Sequence, residues 1–230
     1  MKLQRMREPG LLSMAGRVFV LVLAVAFTGA TAEGAEFEKV QLFIEFNSTD
    51  DDAGIQVLLD GEAWRFLRVF SPDGRVILEL EAKRGLAQLG LTELFFESAE
   101  PSLDEVLAKF PSGQYRFEGR TIGGRTLEGS AILSHDIPPA PSFSPSSGEL
   151  VDRNNTVITW QPIAGIARFQ VIVENEDLGV SMTVDLSASV TELQIPPTFL
   201  VPDTEYKIEV LAIAGTGNRT IAEGTFKTQP

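Results

Sequence analysis

The chain has 230 residues, is 43% hydrophobic and 22% charged, and carries a formal charge of −13. That balance is globular, and its acidity excludes nucleic acid and anionic membrane surfaces as partners, because both would repel it. With no cysteine and a single histidine, disulfides, thiolate metal sites, Cys nucleophiles and His-pair catalysis are excluded as well.

The N-terminus reads as an address. Lys2, Arg5, Arg7 and Arg17 form a basic lead, Val18 to Phe27 an unbroken apolar run, and Ala30-Thr31-Ala32 places small residues at −3 and −1 of a cleavage site. This is the layout of a secretory signal peptide over residues 1–32. An apolar run of that length rises about 15 Å as a helix, half the ~30 Å hydrocarbon core. Cleavage is therefore expected, with an uncleaved anchor as the alternative. Removal takes four positive charges and one negative, leaving −16. No later run approaches a membrane span, so the expected product is a secreted or periplasmic chain with no span.

The mature chain divides at Ile137 to Gly148, where four prolines follow strand-like sequence. Proline fixes φ and donates nothing to a ladder, so this segment reads as a short, stiff joint. Two domains are expected, 33–137 and 138–230. In the first, Val40, Leu42, Ile44 and Phe46 alternate, and only Phe43 blurs the period of two. After an acidic loop, Ile55, Val57 and Leu59 alternate again. Trp64 to Phe70 and Val76 to Leu80 flank Ser71-Pro72-Asp73-Gly74, a hairpin signal. Thr92 to Glu97 is a further strand.

Ser102-Leu103-Asp104-Glu105 has the form of a capping box. It opens a short helix whose Leu103, Val106, Leu107 and Phe110 share a face before Pro111 ends it. Tyr115 to Ile122 and Thr126 to Leu133 form the last pair, around Gly123-Gly124. The pattern predicts a β-rich, immunoglobulin-like sandwich with one short helix, its connectivity open.

In the second domain Ile158 and Trp160 alternate, then Phe169, Val171 and Val173, then Leu193 and Ile195. The segment Leu200-Val201-Pro202-Asp203-Thr204-Glu205-Tyr206 follows and runs into Ile208, Val210 and Ala212. This stretch, about 140–230, resembles a fibronectin type III domain, and its most specific part is L-x-P-x-T-x-Y before an alternating strand. The resemblance implies a β-sandwich in which Tyr206 forms a buried corner. Trp160 would be the core Trp, and Phe169 would stand where the family often has Tyr. The loop from Ala214 to Thr220 departs from the usual pattern. The resemblance implies a recognition or spacer module, and the chain has no Arg-Gly-Asp triplet. The fold class expected is therefore all-β, two β-sandwiches in tandem.

Several polar groups invite a chemical reading. Asn47 to Asp52, with Glu45 before and Asp60 after, offers Asp50, Asp51 and Asp52 as a weak calcium site, since calcium takes carboxylates on inter-strand loops. Gly54 falls fifth from Asp50 rather than sixth, so the EF-hand template fails. The alternative is a solvated turn. Ser134-His135-Asp136 has triad composition, but successive residues on an extended chain face opposite ways. Glu93, Glu97 and Glu100 near Phe95 and Phe96 would serve glycoside hydrolysis only at a suitable separation. Trp64, Phe66 and Phe70 would stack on sugar rings if exposed, and are core if buried. Three sequons occur, at Asn47, Asn154 and Asn218.

The expected protein is an exported, noncatalytic binding or interaction protein without a cofactor, calcium aside. Its partner is a protein or a polysaccharide. The alternatives are a carbohydrate-binding module built on Trp64 and Phe66, or a structural spacer.

Overall fold

The computed structural model describes residues 35–230; the leader at 1–32 lies outside the described residues. The chain is all-β apart from two short helices. Its first part comprises β1 (Ala35–Glu36), β2 (Lys39–Asn47), β3 (Asp52–Phe70), β4 (Val76–Glu81), α1 (Arg84–Leu89), β5 (Leu91–Glu97), α2 (Leu103–Lys109), β6 (Gly113–Thr121) and β7 (Thr126–Leu133). The second comprises β8 (Phe143–Ser144), β9 (Glu149–Val151), β10 (Val157–Trp160), β11 (Ile166–Asn175), β12 (Val180–Ser187), β13 (Glu192–Gln194), β14 (Glu205–Ala214) and β15 (Arg219–Thr228).

The two runs expected as separate strands, at 55–59 and 64–70, are one strand, β3. Its first stretch pairs with β2 and β5, and its second with β4 and β6. The register shifts between Asp60 and Trp64 mark the bend that turns it from one set of partners to the other. The sheet wraps around Leu42, Ile44, Val57, Leu59, Trp64, Leu67, Tyr115, Phe117 and Leu127. The predicted helix forms as α2 and buries Val106, with Leu103, Leu107 and Phe110 packed against the same core. Its capping box does not close: Ser102 makes no side-chain cap, and Glu105 pairs with Lys109 one turn on. A second helix, α1, was not expected and buries none of its residues.

The second part is a sandwich of two sheets. Strands β13, β10 and β8 form one; β12, β11, β14 and β15 form the other. Trp160, Phe169, Val171, Val173, Tyr206, Ile208, Val210 and Phe226 fill the space between them. The Tyr206 hydroxyl accepts from Val201 N at 2.9 Å and lies 3.3 Å from the Phe199 carbonyl, its acceptor. This is the tyrosine corner that the L-x-P-x-T-x-Y segment implied. The Trp160 and Phe169 rings meet at 5.4 Å.

The two parts are joined by more than the proline segment. β15 pairs in parallel with β2 through Arg219↔Glu45, Thr220↔Phe46 and Ile221↔Asn47, so one sheet runs through both. The proline segment is itself held down, with Thr220 Oγ1 donating to the Pro138 carbonyl at 2.5 Å.

Candidate functional site

The β2–β15 seam gathers most of the polar chemistry of the molecule. Its centre is Asn218, which is fully buried. Its Oδ1 accepts from Ile44 N at 2.9 Å, and its Nδ2 donates to the Ser134 and Asp136 carbonyls at 2.9 and 3.1 Å. One amide thus satisfies the Ile44 N–H of β2, which burial would otherwise leave unpaired, and two partly buried carbonyls of the segment after β7. On the far side, the start of the acidic loop closes over β15. Ser48 N and Oγ both reach the Ile221 carbonyl, Thr49 Oγ1 accepts from Glu223 N at 2.8 Å, and Asn47 Nδ2 donates to Glu223 at 3.1 Å.

A charged row crosses the outer face of this sheet. Gln56, buried on β3, donates through one amide nitrogen to Glu45 Oε1 at 2.5 Å and Glu97 Oε1 at 2.9 Å. The second Glu45 oxygen lies 3.6 Å from an Arg219 nitrogen. Burial pushes the Glu45 carboxyl up to about 7, with Arg219 opposing and Glu97 adding to the rise. Arg219 lies over the Phe43 ring, 4.1 Å from its centroid. That contact explains why Phe43 breaks the alternation of β2. Its face is not open to solvent but is covered by Arg219 and by Gly217, whose ideal Cβ position lies 3.4 Å from Phe43 Cβ.

Beside the row a cleft of about 310 Å³ opens between the two parts. Its walls include β2 from Val40 to Phe43, Ala131 and Ile132 of β7, Arg168 of β11, Arg219, and the turn from Ala214 to Gly217. The turn residue Gly217 has φ +95°, which glycine adopts without strain. Clefts between packed units are common ligand sites because they offer concave walls from two sources.

The residues singled out from sequence fall as follows. Asp50 and Asp51 lie in the β2–β3 hairpin turn, and Asp52 opens β3 opposite Asn47. Asn47 Oδ1 accepts there from Thr49 N, its Nδ2 donates to Asp50 at 3.3 Å, and Asp51 takes φ 59°. Among the described residues no group of three or more His, Asp or Glu is placed to hold a metal ion. His135 turns its Nε2 to the Phe110 carbonyl at 2.8 Å, while Ser134 Oγ and Asp136 Oδ2 meet each other at 3.0 Å. The triad composition is therefore not assembled. Glu97 joins the seam network. Trp64 is buried in the first core, so the aromatic platform expected of Trp64 with Phe66 is not on the surface. Phe66 is half-buried, with Arg68 5.1 Å from its centroid.

Sequence reasoning did not single out Gln56, Arg219 or the role of Asn218. Phe43 was the available signal: an apolar residue out of phase on a strand means that its second face is covered. The sequons at Asn47 and Asn218 are tied into the seam, whereas Asn154 is exposed.

No protein-family model matches the chain, and no curated protein matches it. Similar solved structures are fibronectin type III structures. The chain is similar to the chicken CNTN1 FN1-FN3 domains at 11% identity and TM-score 0.40, covering 86% of this chain and 65% of that one. It is similar to a two fibronectin type III domain segment from chicken tenascin at 14% identity and TM-score 0.33, covering 83% and 98%. An Fn3-like protein from Clostridium thermocellum is 21% identical over 40% of this chain and 97% of that one, with TM-score 0.29.

Proposed function

We propose that this is an exported, noncatalytic interaction protein of the cell envelope or extracellular space, with residues 1–32 as its signal peptide and 33–137 and 138–230 as its two domains. The observation that carries this reading is the seam. A continuous sheet, the Asn218 amide and the Asn47–Thr49 clamp hold two β units in one fixed arrangement and shape a cleft between them. Rigid scaffolds that present loops and concave joints suit recognition, because little order is lost on binding. Fold alone does not fix function. The joint therefore carries the reading, and Ser134, His135 and Asp136 do not meet as a triad, since His135 bonds the Phe110 carbonyl while Ser134 and Asp136 bond each other.

The test is affinity capture with the processed chain from envelope and extracellular fractions of its native source. A saturable protein partner supports the reading. Retention of polysaccharide moves the assignment to carbohydrate binding at a site other than Trp64. The absence of any saturable partner leaves the spacer function, which the rigid seam serves equally well.

A further inference from the structure

Arg219 is a partly buried cation that faces Glu45 across 3.6 Å and has one buried donor, Nε, without an acceptor among the described residues. Its side chain keeps 17% of its exposure, yet its guanidinium hydrogen-bonds to none of the described residues. Nε is buried without a partner, and the Glu45 oxygen stands 3.6 Å away, outside hydrogen-bond range. The other oxygen of Glu45 is held by Gln56, which turns that carboxylate toward β3 and away from Arg219. Phe43 supports one face of the guanidinium and leaves its edge groups uncommitted. A guanidinium has five N–H donors in a fixed fork that matches carboxylate and phosphate oxygens, and leaving such donors unpaired in a buried place is costly.

The surroundings are those of a site. Arg219 and Arg168 both line the inter-domain cleft and flank Ile213 in register across β15, β14 and β11. Arg168 is engaged by Asp185 at 3.2 Å and remains nearly half exposed. The intervening turn contributes Gly215 and Thr216, whose backbone N–H groups donate to nothing among the described residues. Two arginines line the same cleft as this turn, a local cationic pair in a chain of net charge −13.

We propose that this cleft binds an oxyanion, either a carboxylate of a partner or a free phosphate-like ion, with Arg219 as its forked anchor and Arg168 as its second cation. As a means of holding a partner the site rests on the interaction reading, but its test uses no captured partner, so each can fail alone.

The experiment is calorimetric titration of the processed full chain with inorganic phosphate, and with two peptides identical except that one ends in a carboxylate and the other in an amide. Chloride holds the ionic strength constant. Saturation by phosphate below about 10 mM is expected. Arg219→Gln should weaken it by roughly ten- to a hundredfold and Arg168→Gln by only a few-fold. Arg219→Lys, which keeps the charge and loses the fork, should fall between. Preference for the carboxylate peptide over its amide assigns the site to a partner's carboxylate; phosphate binding without that preference assigns it to a free ion. If Arg219→Gln does not fold, Arg219→Lys and the positions of phosphate-induced amide shifts decide, with shifts expected at 40–43 and 214–219. The proposal is overturned by a lack of saturation with both probes, by equal affinity in the Arg219 variants, or by shifts lying elsewhere.

Discussion

The two β units solve the same problem in different ways. The C-terminal unit stacks a three-stranded sheet on strands β9, β15, β14, β11 and β12 of the sheet shared with its neighbour, and locks one end with the Tyr206 hydroxyl. The N-terminal unit uses one long strand, β3, for both of its layers and fills the remaining gap with α2. Each buries one tryptophan whose Nε1 has no partner, Trp64 and Trp160. Each also anchors a tyrosine hydroxyl to upstream backbone; Tyr115 reaches the Pro111 carbonyl at 3.0 Å. The difference is closure. The C-terminal unit encloses a large core between its own two sheets and keeps only a small second cluster of Leu211, Ile213 and Ile221 outside it, whereas Phe43 on the outer face of β2 is covered by Arg219 and Gly217 of its neighbour. Stability of the first unit should therefore depend on the second more than the reverse.

The sharpest way to break that asymmetry is to cut the seam. Asn218→Ala removes three hydrogen bonds and leaves Ile44 N and two carbonyls without their partner. A loss of about 3 kcal/mol is expected, with about 1–3 kcal/mol from the buried Ile44 N–H and less from each of the two partly buried carbonyls. Denaturant unfolding followed by Trp64 and Trp160 in single-tryptophan backgrounds should show the N-terminal transition moving well ahead of the C-terminal one. Coincident transitions that shift together would show that the two units unfold as one body.

Glu45 gives the next largest effect, and one that depends on pH. Its carboxyl faces Arg219 from β15, Glu97 from β5, Gln56 from β3 and Glu209 from β14. With a folded pKa near 7 against 4.5 unfolded, the native state holds more protons between those values. The favourable contribution is complete below about 4.5 and is lost as pH rises through about 7. The full loss is on the order of 3 kcal/mol. Glu45→Gln should abolish this slope, so the variant gains on the wild type as pH rises from 5 to 8. Parallel stability curves would remove the carboxyl from the account.

The tyrosine pair compares the units at smaller scale. Tyr206→Phe strands a donor, Val201 N, and an acceptor, Phe199 O, and should cost about 1.5–2 kcal/mol. Tyr115→Phe strands one carbonyl and should cost about 0.5–1 kcal/mol. Equal losses would mean that the Tyr115 hydroxyl closes its unit as firmly as the Tyr206 corner does.

How much of this was legible in sequence follows the same division. In the C-terminal unit β11 and the first half of β14 alternate, because one face packs into the sandwich, whereas Leu211 and Ile213 break the period in a second cluster with Ile221; the L-x-P-x-T-x-Y segment carries a contact made within a few residues. In the N-terminal unit the strands at 40–46, 115–122 and 126–133 and helix α2 could be read from period and punctuation. The continuity of β3 could not, since Gly61 and the acidic residues at 60 and 62 look like a turn when they are the bend of one strand. The seam was hidden for a different reason. Asn218, Gln56 and Arg219 act through partners on other strands, and no local pattern records a contact made between strands distant in sequence. Phe43 was one exception, because its covering left an apolar residue on the polar phase, as Leu211 and Ile213 do on β14.

The smallest effect concerns the acidic turn, where two physical accounts give opposite signs. Asp50 and Asp52 lie among Glu97, Glu100 and Glu223, and this crowding, after burial, raises the Glu100 carboxyl. If the turn is only a connection, replacing Asp50, Asp51 and Asp52 together by Asn relieves repulsion and keeps the side-chain acceptors. A gain of roughly 0.5 kcal/mol is then expected, of the size of surface charge effects. It should be identical in calcium and in chelator. If the turn holds an ion, the wild type melts higher in calcium, because a ligand bound only by the native state stabilises it, and the triple variant loses that increment. Asp50 is already held by Asn47 and Asp51 is exposed at positive φ, so equal melting in both solutions is the expected result. A calcium-dependent rise would make the ion part of the seam, since Asn47, Ser48 and Thr49 of the same loop clamp β15. The N-terminal unit would then depend on its neighbour and on calcium through one hairpin.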